Sequence, residues 1–190
     1  MQVEKPSLAR GGELNADTWA DFVERLKYDC EGEGVSRHHT AEALFIVQAK
    51  KLFTGLDMDY ADSGDVLVYC DDWYWFSPQE YWDKCDDGDQ ANLNELAKEC
   101  DEETFLELSE NVQWDILSDL PDHIVTAYQW QWEYVNAHFT RDAAEAFIKR
   151  KSHDYRHGLR IYVESQYHAW EFNAIKSGIL SGKIRLVADE

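Results

Sequence analysis

The sequence YQWQWEY at residues 128–134 alternates apolar and polar side chains along its whole length. Its even positions are Tyr128, Trp130, Trp132 and Tyr134, whereas its odd positions are glutamine or glutamate. A period of two places the two sets on opposite faces of a β-strand. The segment therefore predicts a strand whose aromatic face is buried, and the neighbouring elements can be assigned outward from it.

Downstream of this strand the sequence predicts a helix and a second strand. Thr140 is placed to cap a helix that ends near Lys151, because a threonine oxygen can accept a bond from a backbone N–H of the first turn. Residues 159–163 are rich in β-branched and aromatic side chains, which favours a strand.

A last helix is predicted over residues 168–180, followed by a short closing strand over residues 183–187. The side chains expected to face inward on this helix are Trp170, Ala174 and Ile175. Residues 123–190 are therefore predicted to form a small C-terminal module with the order βαβα.

The N-terminal part predicts two helices. Over residues 16–29, apolar side chains recur three and four positions apart, as they do on one face of an amphipathic helix. Thr40 is placed to cap a second helix through about Phe53, and Gly55 is expected to end it.

The middle of the chain predicts a hairpin followed by short helices. Residues 66–70 and 73–76 are β-branched and aromatic, and the turn Asp71-Asp72 separates them. Ser77 followed by Pro78 is typical of a helix start. The helices predicted here cover residues 78–85, 91–99 and 102–118.

Together these elements predict an α+β protein with a helical N-terminal part, an acidic helix-and-hairpin middle and the C-terminal βαβα module. The charge balance changes sharply near Pro121, and a complete strand and helix pattern follows. We therefore predict a boundary that separates residues 1–122 from residues 123–190.

The acidic residues are concentrated in the middle of the chain. The formal net charge is −20, and residues 57–122 hold 21 acidic residues against two bases, Lys84 and Lys98. A folded protein loses stability through such self-repulsion, so the concentration indicates a function, although simple solubility is the alternative reading.

An acidic surface of this kind can imitate nucleic acid, because duplex DNA carries about one phosphate charge per 1.7 Å of its axis. Carboxylates three and four residues apart on the helix predicted over residues 102–118 would form a comparable row. The candidate partner-binding residues are Asp71, Asp72, Asp83, Asp86, Asp87, Asp89, Glu103, Glu107 and Glu110.

Motifs that would indicate catalysis are absent from the sequence. It contains no GxSxG, Walker A or GxGxxG pattern, and its four cysteines include no CxxC pair. The stretch Asp83–Asn94 begins like a calcium loop but has Cys85 where an oxygen ligand belongs and Asn94 where the bidentate glutamate belongs. We therefore predict no catalytic residue, no metal site and no cofactor.

Four short segments near the C-terminus carry a resemblance to known proteins. They are FTRDAAEAFIKRK (139–151), HDY (153–155), YVES (162–165) and WEF (170–172). Together they resemble a C-terminal module common in small phage and prophage proteins, over roughly residues 125–182. The resemblance implies an accessory or host-takeover role, and by analogy a strongly acidic member is similar to anti-CRISPR and anti-restriction inhibitors.

These observations lead to one functional expectation with two alternatives. We expect a phage-encoded acidic inhibitor that binds a basic, nucleic-acid-binding host protein, such as a subunit of a CRISPR effector, as a mimic of nucleic acid. We expect no direct binding to nucleic acid and no membrane partner. Because the sequence predicts no signal peptide and no membrane span, we expect a cytoplasmic location. The alternatives are a metal-dependent enzyme that uses the clustered carboxylates, and a structural or assembly protein of a virion.

Overall fold

A computed structural model describes residues 5–57 and 65–187. The α-helices of these residues are α1 (Ala16–Glu31), α2 (Pro78–Lys84), α3 (Asp87–Lys98), α4 (Glu110–Asp119), α5 (Arg141–Lys151) and α6 (Trp170–Leu180). The strands are β1 (Ala43–Leu56), β2 (Val66–Cys70), β3 (Trp73–Trp75), β4 (Ile124–His138) and β5 (Leu159–Ser165). This mixture of helices with an antiparallel sheet confirms the α+β class.

The strands form a sheet in the order β3-β2-β4-β1-β5. β1 and β5 are antiparallel, and Phe45 lies opposite Val163. β2 forms a hairpin with β3 and also pairs with β4, where Val68 lies opposite Val125. The order inserts β1, from the N-terminal part of the chain, between the two strands of the predicted C-terminal module.

Backbone contacts group the chain into two compact units. Residues 1–51 and 132–190 form the first, which we call the terminal unit, and residues 52–131 form the second, which we call the central unit. These divisions differ from the boundary at 122/123 that the charge balance suggested. The boundary at 122/123 itself stays a prediction.

The core of the terminal unit lies between the sheet and α5. Phe45 and Val47 of β1 are buried together with Ala144 of α5, and Val135 of β4 and Ile161 of β5 pack against them. Because side chains alternate across a strand, the even-numbered residues of these strands face away from α5.

The central unit has a separate core. Val68 of β2 is buried against side chains of the short helices, among them Tyr81 and Leu93. Phe105 is fully buried, and its ring stacks on that of Trp82 at 5.9 Å between centroids. Hairpin and helices therefore share one apolar cluster beneath the acidic surface.

Several elements predicted from the sequence are confirmed. The strand over residues 128–134 lies within β4, and the hairpin is β2 with β3. Thr140 caps α5 through a bond from the Ala143 N–H at 3.4 Å, and Ser77 caps α2 through a bond from the Glu80 N–H at 3.0 Å.

The second N-terminal helix, predicted over residues 40–53, is wrong, because these residues form most of strand β1. Phe45, Ile46 and Val47 are consecutive and all buried, so the strand is covered on both faces. A continuous apolar run fits a buried strand or a buried helix equally well by periodicity, and its β-branched and aromatic content favours the strand.

The last helix is confirmed as α6, but the inward face predicted for it is wrong. Trp170 is 81% exposed, Ile175 is 50% exposed and Ala174 is also exposed. The buried face carries Lys176 and Ile179 instead. Lys176 forms an ion pair with Glu42, which explains how a lysine is accommodated there. Residues 183–187 contain no strand.

The aromatic face of β4 is only half-buried, and its prediction as core is therefore wrong in part. Trp130 packs against Phe76 at 5.9 Å and against Tyr128 at 6.4 Å between ring centroids, but it retains solvent contact. Tyr134 is 65% exposed. In the terminal unit the cause is that α5 covers the opposite face of the strand, where Val135 lies.

Replacing Trp130 with alanine should therefore lower the free energy of unfolding by only about 1–3 kcal/mol. Phe105→Ala, which empties a fully buried site in the same unit, should cost roughly 3–5 kcal/mol. Chemical denaturation followed by circular dichroism would measure both losses. Equal losses for the two variants would contradict a half-buried Trp130.

Candidate functional site

Nearly all of the net charge belongs to the central unit. Residues 52–131 hold 21 acidic residues and two lysines, which gives −19, whereas the terminal unit carries the remaining −1 of the total of −20. The acidic segment recognised in the sequence is thus a compact unit with its own core.

Both lysines of the central unit pair with a carboxylate on their own helix. Lys84 lies 2.7 Å from Glu80 on α2, and Lys98 lies 2.7 Å from Glu95 on α3. Each cation is therefore engaged locally, and the surrounding carboxylates set the sign of the surface potential.

The nine predicted partner-binding residues are all exposed. They come from four places in the central unit: the β2–β3 turn holds Asp71 and Asp72, α2 holds Asp83, the start of α3 holds Asp86, Asp87 and Asp89, and the segment that leads into α4 holds Glu103, Glu107 and Glu110.

The helical row of carboxylates predicted over residues 102–118 is wrong. Glu103 precedes a short 3-10 helix, Phe105–Glu107, and Glu110 is the first residue of α4. Leu108 between them is extended, with φ −65° and ψ 154°. The three carboxylates therefore occupy three local structures instead of one helix face.

Some of the candidate carboxylates have a local structural role. Asp86 caps α3 by accepting bonds from the backbone N–H groups of Gly88 at 2.8 Å and Asp89 at 2.9 Å. Glu107 accepts a bond from the Thr104 N–H at 3.1 Å. These contacts give the acids at positions 86 and 107 a structural role. Asp72 and Glu103, in contrast, cap no helix.

Below this surface, polar groups are tied into the core. The Tyr81 hydroxyl lies 2.9 Å from Nε2 of His123, and burial raises the pKa of Tyr81 to about 12, with the charge of Asp89 adding to the effect. Burial opposes ionisation of Glu80, but bonds from Lys84 and from the Phe76 N–H outweigh it and lower the pKa of Glu80. Glu80 therefore stabilises the fold above its ordinary pKa, and this contribution is lost as the pH falls.

Across residues 5–57 and 65–187, no three histidine, cysteine or acidic side chains converge as ligands for a metal ion. Most of the acidic turn at residues 57–65 lies outside the described residues. Burial raises the pKa of the thiols of Cys70 and Cys85, so both are protonated at neutral pH.

Sequence reasoning missed a charged cluster in the terminal unit. Arg25 of α1 bonds Asp21 on the same helix and forms an ion pair with Asp142 of α5. Nearby, buried Asp29 accepts a bond from the Arg141 N–H at 2.8 Å. These contacts join α1 to the start of α5, and no motif in the sequence links residues so far apart.

A second feature missed from the sequence is an open aromatic face in the terminal unit. Tyr134 of β4 and Tyr162 of β5 are exposed on the side of the sheet away from α5. Arg160 donates to Gln48 at 2.9 Å and stacks over Trp132 at 4.2 Å from the ring centroid. The stack holds the arginine on this face.

Comparison with protein-family models, with curated proteins and with solved structures finds no match for this chain. No helix within residues 5–57 and 65–187 has the length and apolar character needed to cross a membrane.

Proposed function

We propose that the protein binds a basic surface of a nucleic-acid-binding protein through its central unit. The observation that carries the proposal is the placement of −19 of the −20 net charge in one compact unit. A folded domain that accepts this much self-repulsion gains long-range attraction for cationic surfaces.

Exposure of all nine candidate carboxylates supports this binding mode. The acids come from a turn, two helices and a connecting segment, so the unit offers a broad negative surface and not a single regular rail. Such a surface can compete with nucleic acid for the phosphate-binding residues of the partner through its charge density. Phosphate contacts supply affinity for nucleic acid without reading its sequence, so a dense set of carboxylates can replace them.

We propose further that the protein is a phage-encoded inhibitor and that its partner belongs to a host defence complex, such as a CRISPR or restriction effector. The resemblance of residues 125–182 to phage accessory proteins suggests this context. Inhibition would follow from occupancy, because a cationic groove filled by the central unit is closed to nucleic acid.

Competition with DNA tests the proposal directly. The immobilised protein should capture a basic protein from a host lysate at low salt, and added duplex DNA should release that protein in proportion to its concentration. A captured protein that holds DNA and this chain simultaneously would show that the central unit does not occupy a nucleic-acid site.

A further inference from the structure

Strand β5 forms one edge of the sheet, because β1 is its only paired neighbour among residues 5–57 and 65–187. The strand is seven residues long and reads LRIYVES, with no proline and no lysine, and its two charged residues, Arg160 and Glu164, have opposite signs. Proteins usually protect an exposed edge with proline, with charged side chains, lysine above all, or with a short or bulged strand. The register of β5 against β1 is regular throughout.

The backbone bonds show which groups point to the open edge. The Lys50 N–H donates to the Gly158 carbonyl at 3.1 Å, and the Gln166 N–H donates to the Glu42 carbonyl at 2.9 Å. Even-numbered residues of β5 therefore direct their N–H and C=O groups toward β1. Odd-numbered residues alternate with them, so Ile161 and Val163 direct theirs outward.

We propose that β5 pairs with β5 of a second copy of this chain, antiparallel and centred on Tyr162, to form a homodimer with a continuous sheet. In this register Ile161 of each copy lies opposite Val163 of the other. These are the residues whose N–H and C=O groups face outward, so each such pair exchanges two hydrogen bonds across the two-fold axis.

The charges along β5 favour this register. Arg160 and Glu164 lie two positions on either side of Tyr162, so in this register position 160 of each copy lies opposite position 164 of the other. Arg160 bonds Gln48 and stacks over Trp132 within one chain, and on association it would turn from Gln48 toward Glu164 of the second copy. A shift of the centre to residue 161 or 163 removes both of these opposite-charge neighbours. All three side chains are on the face away from α5, where Tyr162 is 48% exposed and can pack against its own counterpart.

The proposed dimer interface also lies in the terminal unit, whose small net charge opposes the association of two copies less than the charge of the central unit would. The terminal unit carries −1 of the −20 net charge. Two copies still repel each other as whole molecules, and salt screens that repulsion. The dimer should therefore strengthen as salt is added, whereas partner binding by the central unit should weaken, so failure of one proposal is distinguishable from failure of the other.

Sedimentation equilibrium of the full chain over a dilution series tests the dimer. We expect a mass that rises toward twice the 22.2 kDa of one chain. Tyr162→Lys places two like charges face to face at the axis and should abolish the rise. Tyr134→Lys is the matched control, because it changes an exposed tyrosine of the same sheet face that lies on β4, away from the edge.

A charge exchange checks the register. Glu164→Arg alone sets like charges opposite each other at both ends and should weaken the dimer, whereas adding Arg160→Glu to the same chain restores opposite charges and should recover it. Hydrogen exchange gives a residue-level readout: in the dimer the amides of Ile161 and Val163 should become protected, and in Tyr162→Lys they should exchange freely.

A chain that stays monomeric at every concentration and salt would overturn the proposal. So would a dimer that Tyr162→Lys and Tyr134→Lys weaken equally. Protection of the Ile161 and Val163 amides only in the presence of a captured host protein would assign the edge to a strand of that protein instead.

Discussion

Lysine substitutions at Asp72, Asp83, Glu103 and Asp115 should abolish capture of the partner while the fold persists. All four side chains are exposed in the central unit, and none caps a helix. This choice avoids Asp86 and Glu107, whose replacement would remove caps and confuse a binding effect with a folding effect.

The matched control places lysine at four exposed acids of the terminal unit: Glu13, Glu24, Glu31 and Glu33. Each substitution changes the charge by two, so four of them bring the net charge of either variant from −20 to −12. If the location of the charge matters, only the central-unit variant loses its partner. Thermal melts should be unchanged or higher in that variant, because self-repulsion is relieved.

Binding of the native chain should also depend steeply on salt. An interface that replaces several phosphate contacts should lose affinity by a factor on the order of 10³ between about 50 and 200 mM salt. Isothermal titration at several salt concentrations would measure the slope. Binding that ignores both salt and the four lysines would show that the acidity only keeps the protein in solution, and would shift the search to the exposed aromatic residues of the terminal unit.

Local patterns in the sequence predicted the elements that local interactions define. The period of two over residues 128–134 located β4, and the N-caps Ser77 and Thr140 located the starts of α2 and α5. Each of these signals depends on residues within one strand or one helical turn, so no knowledge of distant neighbours is needed.

The failures came from positions where distant neighbours decide the structure. Residues 43–56 form a strand because they pair between β4 and β5, and residues 45–47 are buried on both faces, which no local periodicity reveals. On α6, buried Lys176 is stabilised by Glu42, far away in the sequence. A hydrophobicity pattern predicts that Trp170 is buried and that this lysine is exposed. The structure has the opposite arrangement, in which the tertiary ion pair stabilises the buried lysine.

The candidate site was predictable in composition but not in arrangement. The concentration of acids and their exposure follow from the sequence, because unpaired carboxylates remain in water. The regular row that included Glu103 and Glu110 does not form, since Leu108 is extended and Ser109 starts a new helix. Ser109, a residue typical of a helix start, lies inside the helix predicted over residues 102–118 and was the available signal against a continuous helix. The spacing of Phe105, Leu108, Val112 and Ile116 fits one face of a continuous helix and favoured the longer prediction.

An isolated fragment of residues 123–190 should show no cooperative unfolding transition. The charge balance predicts that these residues form a module, but the structure gives a physical reason to expect that they do not fold alone. Its two strands, β4 and β5, are separated in the sheet by β1, which the fragment lacks. The fragment also lacks Phe45 and Val47, which form the buried centre of the terminal core with Ala144.

The matched experiment is a chain that joins residues 1–51 to residues 132–190 through a short glycine-rich linker. Lys51 forms an ion pair with Glu133, so the two ends to be joined are close together. This chain retains β5, residues 43–51 of β1 and the second half of β4 around α5. Circular dichroism should show a cooperative melt for this joined chain and none for the 123–190 fragment. A cooperative melt of the 123–190 fragment would instead support the boundary at 122/123, since β4, α5, β5 and α6 would then hold a core without β1.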